Sequence, residues 1–198
     1  TARRYIAACS YGGDKGIFGY GFDTPTRFST TNLVSNAGVV ATDTTGVGTA
    51  RNSLAACEYG GDKGIFGYGI ISPVTAVSNL VSNVGVVATD TSGVGTARRQ
   101  LAACGYGLDK GIFGYGGGYV SMTNLVSNAG VVATDTTGVG TGRQLLAATQ
   151  YGLDKGIFGY GNDGGYANMS NLVSNAGVVA TDATGVGTSR MSAAGCSY

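Results

Sequence analysis

The chain contains no histidine among its 198 residues, and this limits the chemistry that it can perform. Without an imidazole, neither a Ser-His-Asp nor a Cys-His nucleophile can be assembled, and metal sites that depend on histidine are excluded. No constellation of acid and base groups can be named among the remaining titratable residues. We therefore predict a protein that is not an enzyme and that uses no cofactor.

The cysteines all occupy one position of a repeated sequence. They are Cys9, Cys57, Cys104 and Cys196, and the remaining copy carries Thr149 at that place. No C-x-x-C pair is present, so the spacing of a zinc ribbon is missing. We favour the interpretation that these are small, buried apolar side chains. A disulfide between Cys9 and Cys196 and a ring of thiols around a metal ion are the alternatives.

Charged residues also recur at fixed positions. A lysine follows each aspartate of a DKG string, an aspartate lies in each T-D-x-[TS]-G string, and an arginine ends each T-x-R triplet. A ring of lysines is suited to an anion and repeated aspartates to calcium, but one carboxylate per site is far short of the six to eight oxygens that calcium takes. We expect solvated lysines, aspartates that accept backbone N–H bonds in turns, and arginines bound to backbone carbonyls or to an aspartate.

These positions recur because the chain repeats one unit. The string DKGIFGYG begins at Asp14, Asp62, Asp109 and Asp154, and NLVSN begins at Asn32, Asn79, Asn124 and Asn171. The T-x-R triplet has five copies, ending at Arg3, Arg51, Arg98, Arg143 and Arg190. We predict a single repeat domain over 1–198, with repeats 1–48, 49–95, 96–140 and 141–187 and a partial fifth over 188–198.

Each unit is predicted to form short β-strands, because glycine interrupts every segment and destabilises helices. In the first unit the predicted strands are Tyr5–Tyr11, Gly16–Gly21, Leu33–Ser35 and Gly38–Thr42. A period of two places Phe18 and Tyr20 on the same face of the second strand, where they fill the space between neighbouring units. Four antiparallel strands are the content of one propeller blade.

We therefore predict an all-β fold, a β-propeller of four blades with four antiparallel strands each. The extra copy of the first strand, Met191–Tyr198, competes with Tyr5–Tyr11 for one position. We favour a closed four-bladed ring with overlapping ends. A longer array and the joining of two chains remain alternatives.

The strings GIFGYG and VGTAR resemble the kelch-type propeller repeat, with Gly-Tyr-Gly in place of the glycine doublet of that family. The segment TNLVSNAGVVATDTTGVGTAR also resembles glycine-rich repeats of tail-fibre and other structural proteins of bacteriophages. This second resemblance implies a virion or extracellular location, a role in host recognition and other virion chains as partners. It implies no catalytic residues.

Two segments vary between the copies while the rest stays nearly constant. One lies between the second and third strands (22–30, 70–78, 117–123 and 162–170), and the other follows the T-x-R triplet. In an antiparallel blade both segments lie at the same end, which predicts a binding face on a constant scaffold. Drift in unconstrained loops is the alternative interpretation. The candidate ligand-binding residues are Phe22, Phe28, Ile70, Ile71, Tyr119, Tyr166, Arg4, Asn52, Arg99 and Gln144.

Charge and hydropathy exclude other partners. The formal net charge is only +1, which argues against nucleic acid, and no apolar run is long enough for a membrane-spanning helix. No signal peptide is visible, and we interpret the start at Thr1 as a processed or excerpted product. We expect a non-enzymatic virion module that binds a host-surface glycan or protein, the alternative being a purely structural component of a virion or fibre.

Overall fold

The computed structural model describes residues 1–197. They form four antiparallel sheets of three strands, one sheet in each repeat, which confirms the all-β prediction. In every sheet the middle strand is the second in sequence. The sheets are β1 (Ala7–Tyr11), β2 (Lys15–Asp23) and β3 (Thr26–Val34); β4 (Ala55–Tyr59), β5 (Lys63–Gly67) and β6 (Ser78–Val81); β7 (Ala102–Tyr106), β8 (Lys110–Gly114) and β9 (Thr123–Val126); β10 (Ala147–Tyr151), β11 (Lys155–Asn162) and β12 (Tyr166–Val173).

A tight turn joins the first two strands of each sheet, as the GGDK string predicts. Tyr11 pairs with Lys15 at the end of the ladder, and the chain reverses through Gly12 and Gly13 at φ 62° and 78°. Positive φ values cost glycine little, because it has no Cβ. In the third repeat Leu108 holds the place of Gly13 at φ 73°. This end of the molecule is named the hairpin end.

The second strand does not keep a period of two. Its register with β3 shifts between Gly19 and Gly21, and the intervening Tyr20 has φ 63°. This bulge reverses the direction of the side chain, so Tyr20 packs against the next sheet while Phe18 points to the other side and is 38% exposed. The prediction that Phe18 and Tyr20 share a face is therefore wrong, and the cause is a bulge at which two residues of β3, Ser29 and Thr30, lie opposite the single residue Tyr20 of β2.

The prediction of a fourth strand in each blade is also wrong. The segment after β3 meets it only through isolated bridges, Val34 with Val40 and Thr31 with Thr44. Between these bridges the Asn32 side chain donates a hydrogen bond to the carbonyl of Ala41 at 3.1 Å. A side-chain amide thus replaces part of the backbone ladder, and the sheet has three strands with an irregular, exposed edge segment.

The core lies between consecutive sheets, where the phenylalanines and tyrosines of the second strands meet as predicted. The rings of Tyr20 and Phe66 are 5.1 Å apart, and the same pair recurs as Tyr68 with Phe113 and as Tyr115 with Phe158. These phenylalanines are fully buried, each within one of three separate apolar clusters. Because each cluster belongs to two sheets, no repeat buries its own core alone.

The predicted closed ring is wrong. Each sheet packs on the next one along the chain, but within residues 1–197 the fourth sheet does not close against the first. Residues 191–197 follow the fourth sheet instead of sharing the place of β1, and Gly195 lies beside Ala148.

Candidate functional site

The two variable segments of every repeat lie side by side at the end opposite the hairpin end, which we call the loop end. Arg4 pairs with Phe22 through backbone hydrogen bonds of 3.0 and 2.9 Å. Asn52 pairs with Ile70 and Gln144 with Asn162 in the same way, and the Gly117 N–H donates to the Arg99 carbonyl at 2.7 Å. The structure therefore places both variable sets at one end, as the sequence predicts.

A row of backbone hydrogen bonds joins the loop ends of neighbouring repeats. The N–H of Ser53 donates to the Tyr5 carbonyl at 3.0 Å, and Gln100 donates to Ser53 at 2.8 Å. The row continues with Leu145 donating to the Gln100 carbonyl at 2.9 Å and Ser192 donating to the Leu145 carbonyl at 2.8 Å. All five residues have φ between 54° and 57°, which turns each connection in the same direction. The variable segments of the repeats thus form one continuous surface.

Exposure separates the candidate residues into three groups. Arg4, Arg99, Tyr119 and Tyr166 are exposed, the two tyrosines by 49% and 64%. Asn52 is only 7% exposed, and its backbone pairs with that of Ile70 in the variable loop of the second repeat. The half-buried candidates are Phe22, Phe28, Ile70, Ile71 and Gln144.

The first repeat carries a cluster of cations and aromatic rings at the loop end. The Arg4 guanidinium lies 5.5 Å from the centre of the Phe22 ring and 5.4 Å from that of Tyr5. Arg27 lies 5.7 Å from the Phe22 ring. Tyr5, which is 55% exposed, and Arg27 were not among the sequence candidates, although both lie in the variable segments. Cations held over rings can bind an anionic group while the rings contact an apolar face.

The repeated lysines and aspartates of the DKG strings lie at the hairpin end and pair with each other. Lys63 Nζ is 2.7 Å from Asp62 Oδ1, and the other three pairs are 2.8 to 3.0 Å apart. In each pair the lysine bond is the first cause that holds the aspartate pKa below its usual value. Paired, solvated turn residues agree with the prediction for these lysines.

The aspartates of the T-D-x-[TS]-G strings fasten the connection between repeats. Asp90 accepts hydrogen bonds from the Thr49 N–H at 3.1 Å and from the Asn79 amide at 2.9 Å. Burial raises the pKa of Asp90, but these bonds outweigh burial and hold the pKa below its ordinary value. No group of three or more metal-ligating acidic or cysteine side chains occurs in residues 1–197. The arrangement is that of a structural clamp.

The first strands of all four sheets line one cavity of about 400 Å³, which Phe18 and residues 195–197 also border. All four cysteines are free thiols. Cys57 and Cys104 are buried, as predicted, while Cys9 is half-buried and Cys196 is exposed. Burial raises the pKa of the Cys104 thiol to about 12. The suggested disulfide between Cys9 and Cys196 is not formed.

We expect the thiols to differ strongly in their reaction with a disulfide reagent at pH 8. A pKa raised from 9.0 to about 12 reduces the thiolate fraction of Cys104 roughly a thousandfold, and burial blocks access as well. Cys196 is the exposed thiol and should react first. Stopped-flow labelling of the native chain checks this, with Cys196→Ser as the control. A fast phase that survives this substitution would contradict the arrangement, and unfolding in urea should release all four thiols.

Comparison with known proteins gives no family for this chain. No family model matches the sequence, and no curated protein matches it. Within the 197 described residues, no helix is both long and apolar enough to cross a bilayer.

Proposed function

We propose that this chain is a non-enzymatic binding module, an open, propeller-like array of three-stranded blades that recognises a host-surface ligand through its loop end. The resemblance of its repeats to bacteriophage tail-fibre sequences supports a place on a virion. A glycan is the ligand that we favour, because aromatic faces and charged groups suit sugar rings and their substituents.

The observation that carries this proposal is the row of joined variable segments. Scaffold strings such as DKGIFGYG are constant, whereas the segments that differ between repeats pair with one another at the loop end. The hydrogen bonds from Ser53 to Tyr5 and onward hold them in a fixed order. Loops that vary on a rigid scaffold are the usual arrangement of a recognition surface.

Binding to a glycan array of neutral and acidic glycans, and to whole bacterial cells, tests the proposal. We expect Tyr119→Ala combined with Tyr166→Ala to weaken binding about tenfold or more, because exposed aromatic side chains contribute strongly at interfaces. Arg4→Ala should reduce binding to acidic glycans alone. The matched control is Leu108→Gly with Leu153→Gly at the hairpin end, where both leucines are exposed and the other repeats carry glycine.

The control separates recognition from folding. If the loop-end and hairpin-end variants bind alike, with unchanged circular dichroism, the loop end is not the recognition surface. If no glycan and no cell binds the original chain at any concentration tested, the binding function is wrong.

A structural role in a virion or fibre is the second candidate. The observation in its favour is that the first and fourth sheets each leave an apolar side unpacked, since Phe18 is 38% exposed and Gly159 has open space beside it. An obligate assembly in solution that binds neither glycans nor cells would favour this second function.

A further inference from the structure

Three interfaces of the same design join the four sheets. At the first, Phe66 of one sheet lies against Gly19 and Tyr20 of the preceding sheet, so closely that a Cβ on Gly19 would be 2.7 Å from the ring. Phe113 and Phe158 repeat this arrangement at the next two interfaces. Each interface therefore has a receiving side, with the glycine and tyrosine, and an inserting side, with the phenylalanine.

The fourth sheet leaves its receiving side open. A Cβ on Gly159 would meet no atom within 4 Å, and Tyr160 beside it is half-buried, whereas its three counterparts are fully buried. A cavity of about 380 Å³ is lined by Ile157, Gly159, Tyr160 and residues 193–195. We call this cavity the terminal socket. At the three internal interfaces, the equivalent position holds a phenylalanine ring.

The first sheet leaves its inserting side open. Phe18 and Ile6 are 38% and 40% exposed, whereas their counterparts Phe66 and Leu54 are 0% and 6% exposed. One chain thus exposes both halves of an interface that it uses three times internally. Surfaces that are complementary but different lead to head-to-tail association of copies.

We propose that the terminal socket receives Phe18 of a second copy of this chain. Backbone groups at the hairpin end match as well, because Gly12, Gly60 and Gly107 each donate an N–H to an aspartate carbonyl of the following sheet at 2.7 Å. Their counterpart Gly152 donates no such bond to any described residue. In the proposed complex, the Asp14 carbonyl of the second copy accepts a hydrogen bond from the Gly152 N–H. This inference rests on the packing of the sheets and does not depend on the proposed binding function.

The chain's own residues 191–197 compete for part of this surface. Ser192 donates to Leu145 at 2.8 Å, and the Arg190 guanidinium lies 4.5 Å over the Tyr160 ring. Residues 194–197 are exposed and belong to none of the four sheets, whereas β1 forms a full antiparallel ladder with β2. The incoming β1 of the second copy therefore displaces residues 191–197 and keeps its own pairing.

Two variants with one defective side each test the proposal. Phe18→Ala removes the inserting ring, and Gly159→Leu fills the terminal socket with a side chain for which the single chain has open space. By sedimentation velocity we expect the original chain to associate with rising concentration and each variant alone to remain monomeric. A mixture of the two variants should form dimers and nothing larger, because it contains one intact inserting side and one intact receiving side.

A chain that ends at Arg190 gives an independent measurement, because it lacks the competing segment and should associate at least tenfold more tightly than the full chain. Circular dichroism checks the fold of each variant, and Gly159→Ala replaces Gly159→Leu if the latter does not fold. The proposal is overturned if the mixture stays monomeric, if Phe18→Ala associates like the original chain, or if the shortened chain is monomeric at every concentration. The proposal is also overturned if the original chain is monomeric and Phe18→Ala lowers its stability as much as an internal phenylalanine substitution does. That result would indicate that the first and fourth sheets pack together within one chain.

Discussion

Replacing Phe113 with alanine should destabilise the chain by about 3–5 kcal/mol, the usual cost of removing a fully buried phenylalanine. The ring is 0% exposed, and its centre lies 5.2 Å from that of Tyr68 in the preceding sheet. Because Gly67 has no side chain to fill the space, the cavity that remains cannot collapse easily. The loss should appear in urea unfolding as a lower midpoint.

The repeat supplies a matched control for this measurement. Phe18→Ala removes the same side chain from the same strand position, but that ring is already 38% exposed, so we expect a smaller loss of about 1–2 kcal/mol in dilute solution. Gly67→Ala is the converse test, since its Cβ would lie 2.6 Å from the Phe113 ring, whereas Gly159→Ala should be neutral. Equal effects of Phe18→Ala and Phe113→Ala would show that the first sheet is not open in solution.

The sequence predicts the features that depend on local patterns. Repeated strings locate the units, the GGDK string locates the turns, and strand alternation with loop topology places both variable segments at one end. These inferences use only sequence patterns and the order of strands and turns along the chain. The position of the phenylalanines and tyrosines between neighbouring sheets also follows, because a blade cannot bury its own faces.

Other features depend on geometry that a pattern does not contain. The bulge at Tyr20 requires a positive φ that tyrosine rarely adopts, so alternation alone assigns the wrong face. Whether the ring closes depends on the rotation between sheets, which the close approach of Phe66 to Gly19 helps to fix. The burial of Asn52 depends on the loop that crosses it, and loop conformation is the least regular part of the repeat.

The repeated arginine is the second position where we expect a large effect. The Arg98 guanidinium lies 4.4 Å over the Tyr68 ring of the preceding sheet. Its Nε donates to the Tyr115 carbonyl at 2.7 Å, and its Nη2 donates to Asn124 Oδ1 at 2.6 Å. Burial lowers the pKa of Arg98, and the side chain is held by these bonds and by Asp135 Oδ1 at 3.8 Å. One planar cation therefore joins two sheets.

Arg98→Ala should cost about 3–5 kcal/mol, because it leaves buried hydrogen-bonding partners without a donor. Arg98→Lys should recover only part of this, since a lysine cannot supply the planar set of donors that reaches both Tyr115 and Asn124. The control is Arg190→Lys, where the exposed guanidinium lies 4.5 Å over the Tyr160 ring and an effect below about 1 kcal/mol is expected. Urea unfolding followed by circular dichroism measures all three variants. If lysine at position 98 preserves full stability, charge alone holds the sheets together and the directed hydrogen bonds do not.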